Sequence, residues 1–318
     1  MEKLSLQEAS RKAMSHGLEF LARQLVEGFV TGLHKSPYHG FSVEFAEHRL
    51  YNNGQSTKNI DWKVFARTDK LFTRQYEEET NLRCMLLLDC SPSMFYPDRD
   101  ENKFRFSVLA SAALAWLLYK QRDATGLCLF DDEIKAITPV KSTRAGIEQI
   151  FSALQQAQEN PIKAQGQGSQ SLSSSTRRTT TSIPSVLHEI AEKIHKRALI
   201  ILFSDLLSNE DPDETFKALQ HLKHNKHEVI IFHIFDRNTE QAFDFEDRPY
   251  EFIDIETGEK IMLRPTDVRA SYLQRVGEFE SELKHRCHQL KIDLVEADIN
   301  SGFEPILEAY LLKRRKLA

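Results

Sequence analysis

The stretch Cys84-Met-Leu-Leu-Leu-Asp89-Cys90-Ser91-Pro-Ser93-Met94 ends an apolar run on a carboxylate and two hydroxyls spaced two residues apart. The Asp-x-Ser-x-Ser spacing supplies three oxygens and no nitrogen or sulfur, the donor set preferred by hard cations such as Mg2+ or Mn2+. Cys90 interrupts the triplet but is not needed for it. Asp and Ser are also common turn and N-cap residues, so the triplet alone does not separate a metal loop from a polar turn. Two downstream features shift the balance. The apolar run Ala198–Phe203 closes on Ser204 and Asp205, a second carboxylate at the end of an apolar run. Before it, Thr179-Thr-Thr181-Ser-Ile183 opens a segment with Val186, Leu187, Ile190 and Ile194 at helical spacing.

The elements that must position these oxygens can be read from periodicity. Consecutive apolar residues without alternation predict strands covered on both faces, as in parallel sheets flanked by helices. In an open α/β sheet, ligands bind beyond the carboxyl ends of the strands, where strand order reverses. Leu18, Leu21, Leu25, Phe29 and Leu33 predict an amphipathic helix, and Phe104, Val108, Ala112, Ala115 and Leu118 another that ends near Gln121. Strands are expected at 125–130, 134–137, 229–235 and 292–295, with helices at 147–154 and 211–224. A β-hairpin is expected between Phe252 and Leu263, followed by a long helix with the stripe Tyr272, Val276, Phe279, Leu283, Cys287 and Leu290. A last helix ends at Lys313-Arg-Arg-Lys316. This alternation predicts an α/β fold with a doubly wound, mostly parallel sheet flanked by helices.

A strand-end Asp89-x-Ser91-x-Ser93, a helix-opening Thr181 and a second strand-end Asp205 together resemble the metal-ion-dependent adhesion site of von Willebrand factor A domains. More specifically, the chain resembles the bacterial family whose members carry a von Willebrand factor A-like domain of unassigned function, often encoded beside MoxR-type AAA+ ATPases. The segment from Gly40 through Glu44, Phe45, Glu47, Arg49 and Tyr51 to Gly54, followed by Ile60-Asp61-Trp62-Lys63 and Ala66-Arg67-Thr68-Asp69, is similar to the signature of that family. The resemblance runs from about residue 15 to the end. One departure is Gln55-Ser-Thr-Lys-Asn59, where the family usually has acidic and basic residues.

The resemblance implies an N-terminal extension over residues 1–80 and an A-like domain over 81–318; within it the Gln, Ser, Gly and Thr content of about 156–180, with almost no apolar residues, predicts a flexible loop. It also implies a Mg2+ (or Mn2+) ion held directly by Ser91, Ser93 and Thr181, and partly through water by Asp89 and Asp205. It further implies that an acidic residue of a protein partner, a MoxR-type AAA+ ATPase, completes the shell, and that the pair acts in chaperone-like assembly or maturation of protein complexes. No catalysis is expected. The alternative is a metal-dependent hydrolase or phosphatase with no recognised motif. Haloacid-dehalogenase phosphatases need a second acid two residues after the nucleophilic Asp, and that position is Ser91. Gly-x-x-x-x-Gly-Lys, Gly-x-Ser-x-Gly and His-Glu-x-x-His patterns are absent.

Composition narrows the field. The 318 residues are 41% hydrophobic and 28% charged, ordinary for a globular protein. A net charge of -5 argues against a nucleic-acid surface, which needs clustered Lys and Arg. The four cysteines have no metal-ligand spacing and read as reduced thiols. The first residues lack a basic region followed by an apolar stretch, so no signal peptide is expected, and no run reaches the roughly 18 apolar residues of a membrane span. A cytoplasmic location follows as the expectation. Asp131-Asp132 reads as a solvated turn. His221, His224 and His227 read as polar residues finishing a helix rather than as a metal site. Glu44, Glu47, Arg49, Asp61 and Arg67 are expected to form a salt-bridged network around Trp62.

Overall fold

The computed structural model describes residues 17–33, 48–50, 62–69, 71–74, 82–97, 101–159, 183–194, 197–207, 212–255 and 258–317. Thr181, most of the 40–61 signature and residues 160–182 lie outside the described residues. The chain divides into two compact units, one formed by Met1–Val30 with Leu82–Ala318 and the other by Thr31–Asn81. Helix α1 (Leu18–Leu33) carries Leu18, Leu21, Ala22 and Val26 buried on one stripe, as its period requires. In the second unit, β1 (His48–Leu50) pairs antiparallel with β2 (Phe72–Arg74), and α2 (Trp62–Thr68) lies between them in sequence. The expected network around Trp62 cannot be followed there, because Glu44, Glu47, Asp61 and the Arg49 side chain lie outside the described residues. Arg67 is exposed.

The first unit is built on one six-stranded sheet. Along the chain come β3 (Arg83–Asp89), a 3-10 turn (Pro92–Phe95), α3 (Lys103–Lys120), β4 (Ala124–Phe130), β5 (Ile134–Ile137) and α4 (Arg144–Glu159). There follow α5 (Ile183–Lys193), β6 (Leu199–Ser204), α6 (Pro212–His224) and β7 (Glu228–Phe235). A π turn (Arg237–Gln241) and the antiparallel hairpin β8 (Tyr250–Ile253) and β9 (Lys260–Leu263) precede α7 (Pro265–Gln289), β10 (Asp293–Asp298) and α8 (Glu304–Leu317). Across the sheet the order is β10-β7-β6-β3-β4-β5, parallel throughout except for β5. Numbered by appearance in the chain, that order reads 3-2-1-4-5-6 from the β5 edge, so the winding reverses between β3 and β6.

The central strands are buried on both faces, which is why they read as unbroken apolar runs. Leu87, Leu202, Val229 and Ile231 meet Val186, Leu187 and Ile190 of α5 and Leu219 and Leu222 of α6 in one contiguous core. Helix α3 is buried almost all round. Its Asn102 cap accepts the Arg105 N–H at 2.9 Å, and small residues such as Ala112, Ala113 and Ser111 face its neighbours. Gly126 in β4 sits in a tight place, where a Cβ would stand 3.0 Å from the Thr138 carbonyl and from the Val140 methyl.

Two boundaries differ from the sequence expectation. Helix α4 runs to Glu159, so Gln155–Glu159, expected at the edge of the flexible 156–180 loop, are helical. Buried Leu154 anchors that face, and the Gln155 amide donates to Glu159 Oε1 at 2.8 Å, which keeps a polar turn helical without burial. Strand β10 extends to Asp298 rather than ending at Val295. Glu296 and Asp298 are charged and break the apolar run, but with Ala297 they pair with His233, Ile234 and Phe235 of a strand long enough to template them. Among the described residues, no helix is long and apolar enough to cross a membrane.

Candidate functional site

Strands β3 and β6 run side by side with Leu88 opposite Phe203, so Asp89 and Ser204 end them together at the point where the winding reverses. The Asp89 carboxylate is fully buried. Its Oδ1 accepts the Ser91 N–H at 2.8 Å, and its Oδ2 accepts the Ser204 hydroxyl at 2.5 Å. The loop then tightens into the 3-10 turn, with the Met94 N–H donating to the Ser91 carbonyl at 3.0 Å and Met94 buried beneath it. This geometry brings the Ser91 and Ser93 hydroxyl oxygens to 3.1 Å from each other. Cys90 points elsewhere: its N–H donates to the Phe130 carbonyl at 2.6 Å and its thiol to the Leu88 carbonyl at 3.5 Å. Thr181, the remaining predicted oxygen, lies outside the described residues.

Asp205 follows β6 and is also buried. Its Oδ1 accepts the Leu207 N–H at 3.0 Å, while Oδ2 receives the Lys103 ammonium at 2.8 Å. The turn that makes this possible places Leu206 at φ 53°, the left-handed region that a branched side chain rarely adopts. Lys103 opens helix α3 and is completely buried. Its ammonium also reaches Glu240 Oε1 at 2.5 Å. Glu240 comes from the π turn, where its Oε2 accepts the Asp236 N–H at 2.7 Å and its carbonyl accepts the Tyr272 hydroxyl at 2.8 Å.

Burial and the charge of Asp205 push the Asp89 carboxyl up to about 7, against the hydrogen bonds from Ser204 and Ser91. Burial works the other way on Lys103, favouring the neutral amine, but Asp205 and Glu240 outweigh it and hold the group above its ordinary value as an ammonium. Glu240 is pushed up by burial despite the pull of Lys103.

The donor chemistry suits a hard divalent cation. Two hydroxyls converge beside two strand-end carboxylates, with no nitrogen or sulfur donor in the predicted set. Both carboxylates already have protein partners, which suits a role through water or through the hydroxyls. Among the described residues, no three His, Cys, Asp or Glu side chains converge as a metal cage. The strand-end set is of another kind, with only two acids. The structure therefore brings Asp89, Ser91 and Ser93 together and sets Asp205 beside them.

Sequence reasoning missed Lys103 and Glu240. A signal for the lysine was available: a cation in the first turn of a helix opposes the helix dipole, and the helix that follows is apolar or small all round. Glu240 carries no such signal, since it lies in a polar turn 137 residues from Lys103.

Other clusters singled out in the sequence resolve into structural roles. His221 sits with its Nδ1 3.0 Å from that of His188, and His227 is buried with its Nδ1 accepting the Ala198 N–H at 3.2 Å, so the histidine triplet does not converge. Asp131 accepts the Glu133 N–H at 3.1 Å and pairs with Lys135 at 3.1 Å, as a turn residue does. All four thiols are free and buried, and burial pushes Cys287 up to about 11 and Cys128 up to about 12. Beside the strand-end set opens a groove of about 680 Å3, with Ser93, Lys103 and Glu240 at one end and Phe216, Phe243 and Tyr272 in its walls.

A family model described as "Protein of unknown function DUF58" matches residues 47–281 of the chain. Uncharacterized proteins of Mycobacterium bovis and of two strains of Mycobacterium tuberculosis are 22% identical to it over 219 residues. That match covers 69% of this chain and 63% of each relative, so the chain spans less than two thirds of their length.

Proposed function

We propose that this chain, which belongs to the family described as protein of unknown function DUF58, is a metal-ion-dependent protein-interaction module that captures an acidic residue of a partner. The observation that carries the reading is the pair of hydroxyls at the end of β3, Ser91 and Ser93, 3.1 Å apart and adjoining the carboxylates of Asp89 and Asp205. It is supported by the likeness of Asp89, Ser91, Ser93, Thr181 and Asp205 to the adhesion site of von Willebrand factor A domains. A bound Mg2+ or Mn2+ would supply positive charge and an open coordination position for an Asp or Glu of the partner. Ser91, Ser93 and Thr181 hold the cation directly, and Asp89 and Asp205 act partly through water.

The protein's own groups prepare the site. Asp89 fixes the loop by accepting the Ser91 N–H and orients Ser204, so the hydroxyls reach the rim of the sheet already positioned. Ser91 and Ser93 bond each other, and Ser91 also bonds the Asp89 carboxylate, so the hydroxyls lie inside one oxygen cluster. The partner is a MoxR-type AAA+ ATPase, and the complex serves assembly or maturation of other proteins.

The test is retention of a MoxR-type ATPase on immobilised full-length chain, with Mg2+ and with EDTA. Retention is expected to fall with EDTA and with Ser93→Ala, and to persist with Cys90→Ala. Equal retention by wild type in EDTA and by Ser93→Ala would place the binding surface elsewhere.

A further inference from the structure

We infer that Lys103 is a built-in counter-ion of the strand-end site, competing with the divalent cation for Asp205 and resting on Glu240 when the cation is bound. The inference deepens the metal-dependent reading and rests on it.

Lysine is almost never fully buried unless it is paired, and Lys103 has no exposed surface. It also stands in the first turn of α3, where the N–H groups of the helix end disfavour a positive charge. Two carboxylates compensate for both costs, Asp205 at 2.8 Å and Glu240 at 2.5 Å. The two differ in what else they do. Asp205 belongs to the predicted ligand set, whereas Glu240 belongs to a separate turn and is braced there by the Asp236 N–H. A divalent cation drawing on Asp205, directly or through water, meets the ammonium as a like charge a few ångströms away. Glu240 gives that ammonium somewhere to stay. Ion occupancy is thereby tied to the Arg237–Gln241 turn, whose Thr239 and Glu240 line the aromatic groove beside Ser93.

This arrangement makes two substitutions act in opposite directions. Neutralising residue 103 removes the competitor and should tighten binding. Neutralising residue 240 leaves Asp205 as the ammonium's remaining carboxylate, so the cation should bind more weakly. A purely structural role would move both the same way.

The experiment is a Mn2+ titration of the metal-stripped full-length chain, read by calorimetry and by the loss of the free Mn2+ paramagnetic signal. Lys103→Met is expected to bind at least about tenfold tighter than wild type, and Glu240→Gln at least about tenfold weaker. Glu240→Gln keeps an acceptor for the Asp236 N–H, so it decides the matter if Lys103→Met does not fold. Wild-type binding that is lost in Ser93→Ala but unchanged in Glu240→Gln would overturn the inference and leave the metal-dependent reading standing. Absence of Mn2+ binding in wild type and both charge variants would overturn the two together.

Discussion

Two pairs of adjacent strands in the same sheet end on two buried aspartates each, and the pairs are satisfied in different ways. After β7 and β10, Asp236 and Asp298 share the Asn300 amide, which donates at 2.8 Å to one and 2.9 Å to the other. The same Oδ1 atoms accept the Asn238 and Asn300 backbone N–H groups, and the two Oδ2 atoms accept the Thr239 and Ser301 hydroxyls. These donors come from within a few residues of one strand end or the other, and the Arg237 guanidinium stands 3.9 Å from Asp298. After β3 and β6, Asp89 has neutral donors among the described residues, while Asp205 draws on an ammonium 102 residues away. The Ser91 and Ser93 hydroxyls bond each other, and that of Ser91 also bonds Asp89. An acidic pair satisfied by donors of its own two turns makes a turn. One that needs a remote charge and leaves hydroxyls with spare lone pairs has the means to hold a cation.

The largest expected difference between the pairs comes from removing the remote charge. Lys103→Met leaves Asp205 and Glu240 buried without their counter-ion, and breaking such a pair costs about 3–5 kcal/mol. Urea unfolding of the metal-stripped protein checks this, and a loss below about 1 kcal/mol would mean that the three groups are not desolvated as a unit. No single neutral substitution at the other pair should cost as much.

A second difference lies in pH. Asp89 titrates at about 7 in the folded chain, against an ordinary carboxyl near 3.9 when unfolded. Between those values the folded state holds a proton that the unfolded state has released. Its contribution is therefore complete below about pH 4 and is lost as pH rises through about 7. The stability of wild type minus that of Asp89→Asn, measured in EDTA, should fall over this window. A flat difference would show that Asp89 is ionised throughout.

Smaller effects define the other side of the comparison. Asn300→Ala removes the bridge between Asp236 and Asp298 and should cost about 1–3 kcal/mol, the usual penalty for leaving buried acceptors unsatisfied. It should leave the Mg2+-induced rise in melting temperature unchanged. Asp132→Asn, in the exposed turn before β5, should change stability by no more than about 0.5 kcal/mol and leave the Mg2+ response as it is. A lost Mg2+ response in either variant would remove the distinction between the strand ends.

The legible parts of the molecule were those where one local pattern carries the information. Asp89 and Asp205 stand out because each ends an unbroken apolar run, and a strand buried on both faces can be written in no other way. The position of the candidate site on β3 and β6 was read from that and from the rule that ligands gather where strand order reverses. Lys103 was hidden by its neighbours: Asp98-Arg-Asp-Glu-Asn-Lys-Phe-Arg reads as a solvated charge run, and only the tertiary fold encloses its sixth member. The Asp236, Asp298 and Asn300 cluster was equally invisible. Its members become neighbours through the parallel pairing of β7 with β10, which extends beyond the apolar part of β10.

The most direct test of the central claim is a Mn2+ titration, followed by electron paramagnetic resonance, of metal-stripped wild type, Ser93→Ala and Asn300→Ala. One Mn2+ should bind per wild-type chain, with affinity at least about tenfold weaker in Ser93→Ala and unchanged in Asn300→Ala. Equal affinity in wild type and Ser93→Ala would contradict the assignment of the cation to the strand-end hydroxyls.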